Sequence, residues 1–77
     1  MRVKEQSIVV SFKNTNDAMA VEAHCEGVLK GRLIPLPPCI HAGCGLAWKC
    51  HPDDKLTLLK LLQSKQLAYD EIYELMI

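Results

Sequence analysis

The spacing of apolar residues along the chain changes repeatedly between strand-like and helix-like patterns, and it predicts six elements. Alternating or β-branched runs are typical of strands, whereas apolar residues at every third or fourth position are typical of amphipathic helices. The predicted elements are a strand over residues 6–12, a helix from 17 to between 27 and 31, strands over 32–36 and 45–50, a helix from 51–54 to 67, and a strand over 70–77. This β-α-β-β-α-β order is the ferredoxin-like pattern, so we expect an α+β fold with two helices on one face of a four-stranded antiparallel sheet.

Each predicted strand carries a signal for its place in the sheet. The first is apolar on both faces, which favours a central position. Pro35 cannot donate to a hydrogen-bond ladder, so the second strand is predicted to lie at an edge. In the third strand we expect Ala47 and Lys49 to face the open side of the sheet. The side chains expected to face the helices are Ile8, Val10, Phe12, Leu46, Trp48 and Cys50.

The predicted helices begin at polar capping residues. Asn14 or Thr15 caps the first helix, and Gly31 is predicted to stop it. Asp53 and Asp54 occupy the cap and first turn of the second helix, where the helix dipole favours carboxylates. The apolar face of the first helix is predicted to comprise Ala18, Val21, Cys25, Val28 and Leu29. That of the second is predicted to comprise Leu56, Leu59, Leu62 and Leu67, with Leu58 and Leu61 at its margins.

The composition favours a single small domain over residues 1–77. Apolar residues make up 49% of the chain, enough to build a core at this size. Nine Lys and Arg balance nine Asp and Glu without a long run of one sign, so we expect neither a nucleic-acid surface nor an anionic-membrane surface. No apolar run approaches the roughly 20 residues that span a bilayer, and the N-terminus lacks the apolar segment of a signal peptide. We therefore expect a cytoplasmic protein whose four cysteines are reduced.

The segment over residues 35–45 holds most of the residues with chemical potential. Three of the four prolines and two of the four cysteines lie in it, which predicts a constrained loop that presents thiols. In the predicted topology this loop emerges where the first helix begins, and a helix N-terminus and a nearby lysine both favour a thiolate. Pro37, Gly43 and Gly45 are expected to shape the loop and leave Cys44 accessible. We therefore interpret Cys44 as the candidate functional thiol.

The other cysteines are open to different interpretations. Cys25 and Cys50 lie on predicted buried faces, where cysteine acts as a small hydrophobe. Cys39 is either a resolving thiol for Cys44 or a loop residue that covers the sheet edge. A small zinc site is an alternative interpretation, with Cys39, His41 and Cys44 as its ligands, although their spacing is not that of a standard C-x2-C pair. The primary expectation is that the protein holds no metal and no cofactor.

Catalysis by this chain alone is not expected. It contains no nucleophile–base–acid set at motif spacing, no glycine-rich phosphate loop and no paired carboxylates in a plausible cleft. The first hypothesis is therefore a thiol carrier that works with a protein partner. The second is an interaction or ligand-sensing module that pairs edge to edge as a homodimer or binds through its open sheet face. The third is the zinc-binding domain.

Several short stretches match the pattern of a known family. They are residues 10–12 before a helix with Ala18 and Glu22, residues 33–37, residues 44–47, and the Asp53-Asp54 pair before a leucine-rich helix. With them the chain, from about Ser7 to Leu75, resembles the selenium/sulfur carrier-like family of small bacterial domains, whose function is unassigned.

The resemblance implies a role in selenium or sulfur handling in which Cys44 carries a persulfide or perselenide for a protein partner. Two positions depart from the family's usual pattern. Ala42 and Gly43 stand where the family usually has serines, and Pro38 stands where it usually has an arginine or a similar residue. The resemblance therefore implies no serine-dependent or anion-binding role for this loop.

Overall fold

Six main elements follow one another in a computed structural model, which describes residues 5–40 and 44–77. They are β1 (Gln6–Ser11), α1 (Thr15–Cys25), β2 (Gly31–Pro35), β3 (Leu46–Cys50), α2 (Lys55–Ser64) and β4 (Ile72–Met76). A short 3₁₀ turn, Pro52–Asp54, precedes α2. The β-α-β-β-α-β order predicted from the hydrophobic pattern is confirmed. No helix in the described ranges is long and apolar enough to cross a membrane.

The four strands form one antiparallel sheet in the order β2-β3-β1-β4. Because β1 and β2 both pair antiparallel with β3, they run in the same direction, as the ferredoxin-like pattern requires. Val10 and Leu33 both pair with Trp48, so that β3 lies between β1 and β2. The predictions that β1 is central and that β2 lies at an edge are both confirmed.

Pro35 fits this edge without loss of a ladder bond. The Leu36 N–H donates to the Gly45 carbonyl at 2.9 Å. Because bonded and non-bonded pairs alternate along an antiparallel ladder, the backbone of Pro35, Leu33 and Gly31 points away from β3. The missing N–H of Pro35 therefore removes no bond from the sheet, whereas Gly31 and Leu33 direct their N–H groups outward.

The main core lies between the sheet and the two helices. Ile8, Val10 and Phe12 are fully buried and face the helices, as their alternation predicts. Helix α1 contributes Ala18, Val21 and Cys25 to this core, and α2 contributes Leu58 and Leu62.

Helix α1 ends earlier than the sequence predicts. Its last residue is Cys25, and Gly27 turns the chain with a φ of +79°. Glycine adopts this left-handed conformation readily, so Gly27 and not Gly31 stops the helix. Leu29 is buried as predicted, but Val28 lies beyond the helix and is 57% exposed, so its predicted place on the apolar face is wrong.

The apolar face of α2 also differs from the prediction. Leu58 and Leu62 are buried, whereas Leu56 is 71% exposed. The helix begins at Lys55 with Asp54 at the N-cap position, as predicted, whereas Asp53 lies in the preceding 3₁₀ turn. Because leucine recurs at five of the seven positions over residues 56–62, several faces are apolar, and the way the helix docks selects one of them.

Candidate functional site

The connection between β2 and β3, residues 36–45, is here called the thiol loop. The Leu36 N–H bond to the Gly45 carbonyl closes its base. Gly45 has a φ of +74°, in the left-handed region that disfavours residues with a Cβ. Apart from its two chain neighbours, no described residue has an atom within 4 Å of the position that a Cβ on Gly45 would take, so backbone conformation favours glycine beside Cys44.

The first half of the thiol loop is a tight turn that displays Cys39. The Ile40 N–H donates to the Pro37 carbonyl at 3.0 Å. This bond joins the first and fourth residues of a β-turn, with Pro38 at the position where its fixed φ is favoured. Pro37 is buried, whereas Pro38 and Cys39 are exposed at the corner. The turn therefore presents the Cys39 thiol to solvent.

Ile40 anchors this turn to the sheet. Its side chain is only 4% exposed and packs in a cluster with Val9 and Ala47 on the sheet face opposite the helices, here called the far face. Ala47 is fully buried in this cluster. Ala47 thus lies on the predicted face of the sheet, but the expectation that this face is open at Ala47 is wrong, because Ile40 packs against it. A single isoleucine among Pro, Cys and His residues is the signal in the sequence that could have revealed the anchor.

Cys44 lies on the other side of the sheet. Its side chain is partly buried against the helix-side core, and its Sγ is 3.6 Å from the Leu46 carbonyl, to which the thiol donates. The pairing of Ser11 with Ala47 puts this end of β3 beside the end of β1, where the chain turns into α1. The thiol loop thus emerges at the sheet end where α1 begins, as the topology predicts.

The N-terminus of α1 at this end of the sheet is capped by Asn14. The Asn14 Oδ1 accepts the Asp17 N–H at 2.9 Å, which leaves Asp17 in the first turn. Of the two residues that the sequence left open as the cap, the structure therefore selects Asn14 and not Thr15.

The remaining two cysteines are poor nucleophiles near neutral pH. Cys25 and Cys50 are buried in the helix-side core, as predicted. Burial raises the pKa of the Cys25 thiol. It also raises the pKa of Cys50 to about 11, and the negative charges of Asp54 and of ionised Cys25 add to this effect. Both thiols therefore stay protonated near neutral pH, and only the thiolate is a nucleophile.

All four cysteines are free thiols. A zinc site at Cys39, His41 and Cys44 cannot be assembled from the described residues, because His41 lies outside them, as does Gly43. Over residues 5–40 and 44–77, no three His, Cys, Asp or Glu side chains come together as a metal site. His51 does not extend this set of ligands through its Nδ1, because that nitrogen accepts a hydrogen bond from the Asp53 N–H at 3.1 Å.

The chain matches one family along most of its length. The model of the family described as "Putative Se/S carrier protein-like" matches residues 7–74, which include both helices, β2, β3, the whole thiol loop and most of β1 and β4. The chain belongs to this family. The resemblance inferred from the sequence is thereby confirmed. No curated protein and no solved structure matches the chain.

Proposed function

We propose that this protein carries sulfur or selenium between protein partners, as a persulfide or perselenide on Cys44. The observation that carries the proposal is the contrast between its thiols. Cys25 and Cys50 are buried with raised pKa values, whereas Cys44 is partly exposed at the base of a closed hairpin. Membership of the carrier-like family supports sulfur or selenium as the cargo. The free cysteines fit a reducing compartment, and we propose the cytoplasm.

The loading step needs no net oxidation. The Cys44 thiolate attacks the terminal sulfur of a persulfide on a donor protein, and the donor's S–S bond breaks as a new S–S bond forms on Cys44. The donor cysteine leaves as a thiolate and takes up the proton that Cys44 has lost. With selenium the same exchange forms an S–Se bond.

The surroundings of Cys44 suit a thiol that holds a labile group. One part of the side chain packs against the helix-side core, which restricts access by water and small reductants. In the unloaded thiol, the Leu46 carbonyl accepts the Sγ proton and directs the Sγ. The partly exposed side leaves a path for the attacking sulfur of a partner.

Cys39 is proposed as the resolving thiol. Its thiolate attacks the Cys44 Sγ, which forms a Cys39–Cys44 disulfide and releases the outer atom as hydrosulfide or hydroselenide. A dithiol reductant of the acceptor system then restores both thiols by disulfide exchange. The exposed position of Cys39 at the corner of the β-turn is compatible with this movement.

Mass spectrometry after incubation with a persulfide-loaded cysteine desulfurase tests the proposal. The wild-type chain should gain one sulfur atom, mapped to Cys44 by peptide analysis. Cys39→Ser is the matched control and should also be loaded, but it should release hydrosulfide more slowly. If Cys44→Ser gains sulfur as readily as the wild type, Cys44 is not the carrier.

A further inference from the structure

A basic cavity lies at the end of the sheet opposite the thiol loop. Its volume is about 370 Å³, and its lining includes Lys30, Arg32, Lys49, His51 and the buried Ser7. These residues belong to β1, β2 and β3 or directly flank β2 and β3. Three formal positive charges thus face one carboxylate in the lining, that of Glu5. The sequence does not reveal this concentration of positive charge. Lys49 is distant in sequence from Lys30 and Arg32, and the net charge of the chain is zero.

The positive charges of the cavity form no salt bridge within the described part of the chain. Arg32 and Lys49 are directly opposite each other in the register of β2 and β3, where like charges repel. All nine Asp and Glu belong to the described part of the chain, and none of them lies within 4.0 Å of the charged groups of Lys30, Arg32 or Lys49. An incoming carboxylate would therefore gain attraction without having to displace an internal ion pair.

His51 adds a neutral hydrogen-bond donor at the rim of the cavity. Its Nδ1 accepts the Asp53 N–H at 3.1 Å, so the uncharged ring carries its proton on Nε2. The Asp53 carboxylate lies on the Nδ1 side, 3.5 Å away, and no described residue accepts a hydrogen bond from Nε2. The rim thus adds a neutral donor to the positive charges of the cavity.

A groove with both polar and apolar residues in its lining, here called the β2 groove, continues from this cavity to the thiol loop. It has a volume of about 840 Å³ and shares Glu5, Arg32 and Lys49 with the cavity. From there it follows Ile34 and the rest of β2 to the turn that presents Cys39, with Leu36, Pro37 and Pro38 in its lining. A surface that is basic at one end and apolar at the other thus reaches the turn that presents Cys39.

We infer that the protein that delivers the sulfur docks an extended acidic segment along β2. A carboxylate of this segment binds in the basic cavity, and its apolar side chains lie in the β2 groove. The inference rests on the proposed carrier function of Cys44. The stretch from Arg32 to Leu36 spans about 13 Å, which matches a strand of about five residues. Outward N–H groups on Gly31 and Leu33 offer backbone hydrogen bonds, as in other cases of strand addition.

The geometry favours such a segment over two other occupants. A free inorganic anion would fill the basic end and leave the rest of the β2 groove uncovered. A second copy of the chain could add its own β2, which carries Arg32 and brings no carboxylate to the basic cavity, or its own β4, which is the opposite edge of the sheet and carries Glu74. Glu74 is already paired with Lys55 at 2.8 Å, and a contact between two different edges does not close into a dimer.

Peptide binding tests the docking surface independently of sulfur chemistry. The probe is an acetylated and amidated Glu-Val-Asp-Leu-Glu peptide, with Gln-Val-Asn-Leu-Gln as its neutral analogue, titrated into ¹⁵N-labelled protein. We expect the acidic peptide to shift the amide signals of residues 30–36 and of Lys49. The neutral analogue and the Arg32→Glu variant should bind about tenfold more weakly. Lys60→Glu, on the exposed side of α2, makes the same charge change and should bind normally.

Three other outcomes of these experiments would overturn the inference. No shift at about 1 mM acidic peptide would exclude the surface. Inorganic phosphate that saturates the same residues and displaces the peptide would reduce it to a small-anion site. Self-association of the wild type that Arg32→Glu abolishes would assign the surface to a second copy.

Transfer measurements separate this inference from the carrier proposal. With Arg32→Glu, loading of Cys44 by a persulfide-bearing protein should slow about tenfold and become less sensitive to salt. Loading by inorganic polysulfide should be unchanged, because a small donor needs no docking. Failure of the wild type with polysulfide would contradict the carrier function, whereas equal rates for both variants with the protein donor would contradict the docking surface alone.

Discussion

Gly31 of β2 lies directly against the indole ring of Trp48 in β3. A Cβ at position 31 would overlap the ring atom Cζ2 and would come within 2.7 Å of the Lys49 carbonyl. Trp48 is almost completely buried, and its ring fills the space that the missing side chain leaves. The close approach explains why a glycine, which otherwise weakens a strand, stands at the start of β2.

Gly31→Ala should therefore destabilise the protein. The overlap forces the indole or the strand to shift, and overpacking of this kind costs about 1–3 kcal/mol. Denaturant unfolding measures the change. A double-mutant cycle with Trp48→Phe provides the control, since the smaller ring makes room for the Cβ and the cost of Gly31→Ala should fall. The buried Trp48 Nε1 has no hydrogen-bond partner among the described residues, so Trp48→Phe removes no bond seen there. An equal cost in both backgrounds would show that the indole is not the obstacle.

Local patterns were sufficient to predict the framework of the fold. The alternation of Ile8, Val10 and Phe12 identified the strand face that packs on the helices, because side chains alternate between the faces of a strand. Pro35 identified the edge strand, because it cannot donate a ladder bond. The inward positions of Cys25 and Cys50 followed from the same periodicities. These are properties of single elements, and a sequence records them directly.

Contacts between elements were not predictable in this way. The local sequence predicts that Gly31 stops a helix. Its actual role is to make room for Trp48, which is distant in sequence. The burial of Ala47 depends on Ile40, which lies in a loop without any period. The basic cavity depends on the pairing of Arg32 with Lys49, which only the strand register reveals. In the candidate site, Cys39 and Cys44 were identifiable by residue type, but the exposure of Cys39 and the partial burial of Cys44 follow from the fold.

Ile40 should control both stability and the exposure of Cys44. Ile40→Ala removes a buried side chain from the far-face cluster, and a truncation of this kind costs about 2–5 kcal/mol. Because Ile40 anchors the thiol loop, the variant should also be alkylated faster by iodoacetamide at Cys44. Quantitative peptide mass spectrometry measures the rate, with Cys25 as the buried internal reference. Pro38→Ala, at an exposed corner of the same turn, is the control and should change Cys44 alkylation much less. A loss of stability without faster Cys44 alkylation would show that the anchor does not position this thiol.

Asn14 should contribute to stability as the cap of α1. Asn14→Ala removes the acceptor of the Asp17 N–H and should lower the free energy of unfolding by about 1 kcal/mol. Asn14→Asp retains an acceptor oxygen and should keep most of that stability. Thr15→Ala, one position later, is the control and should cost less, because no cap bond involves its side chain. Thermal denaturation of the three variants distinguishes these outcomes, and a larger loss for Thr15→Ala would reassign the cap.

The raised pKa of Cys50 should make the protein less stable in alkaline solution. A thiol in the unfolded chain titrates near its ordinary value of 9.0, whereas burial raises the pKa of folded Cys50 to about 11. The folded state therefore holds this proton more tightly, and the resulting stabilisation is complete below about pH 9 and is lost as the pH rises through about 11. Denaturant unfolding between these values should show a loss of about 2–3 kcal/mol from this group, and the raised pKa of Cys25 acts in the same direction. Cys50→Ala lacks the titrating thiol but retains the lysines and tyrosines that also ionise in this range. Its stability should fall less steeply with pH than that of the wild type, and parallel curves for the two proteins would contradict the assignment to Cys50.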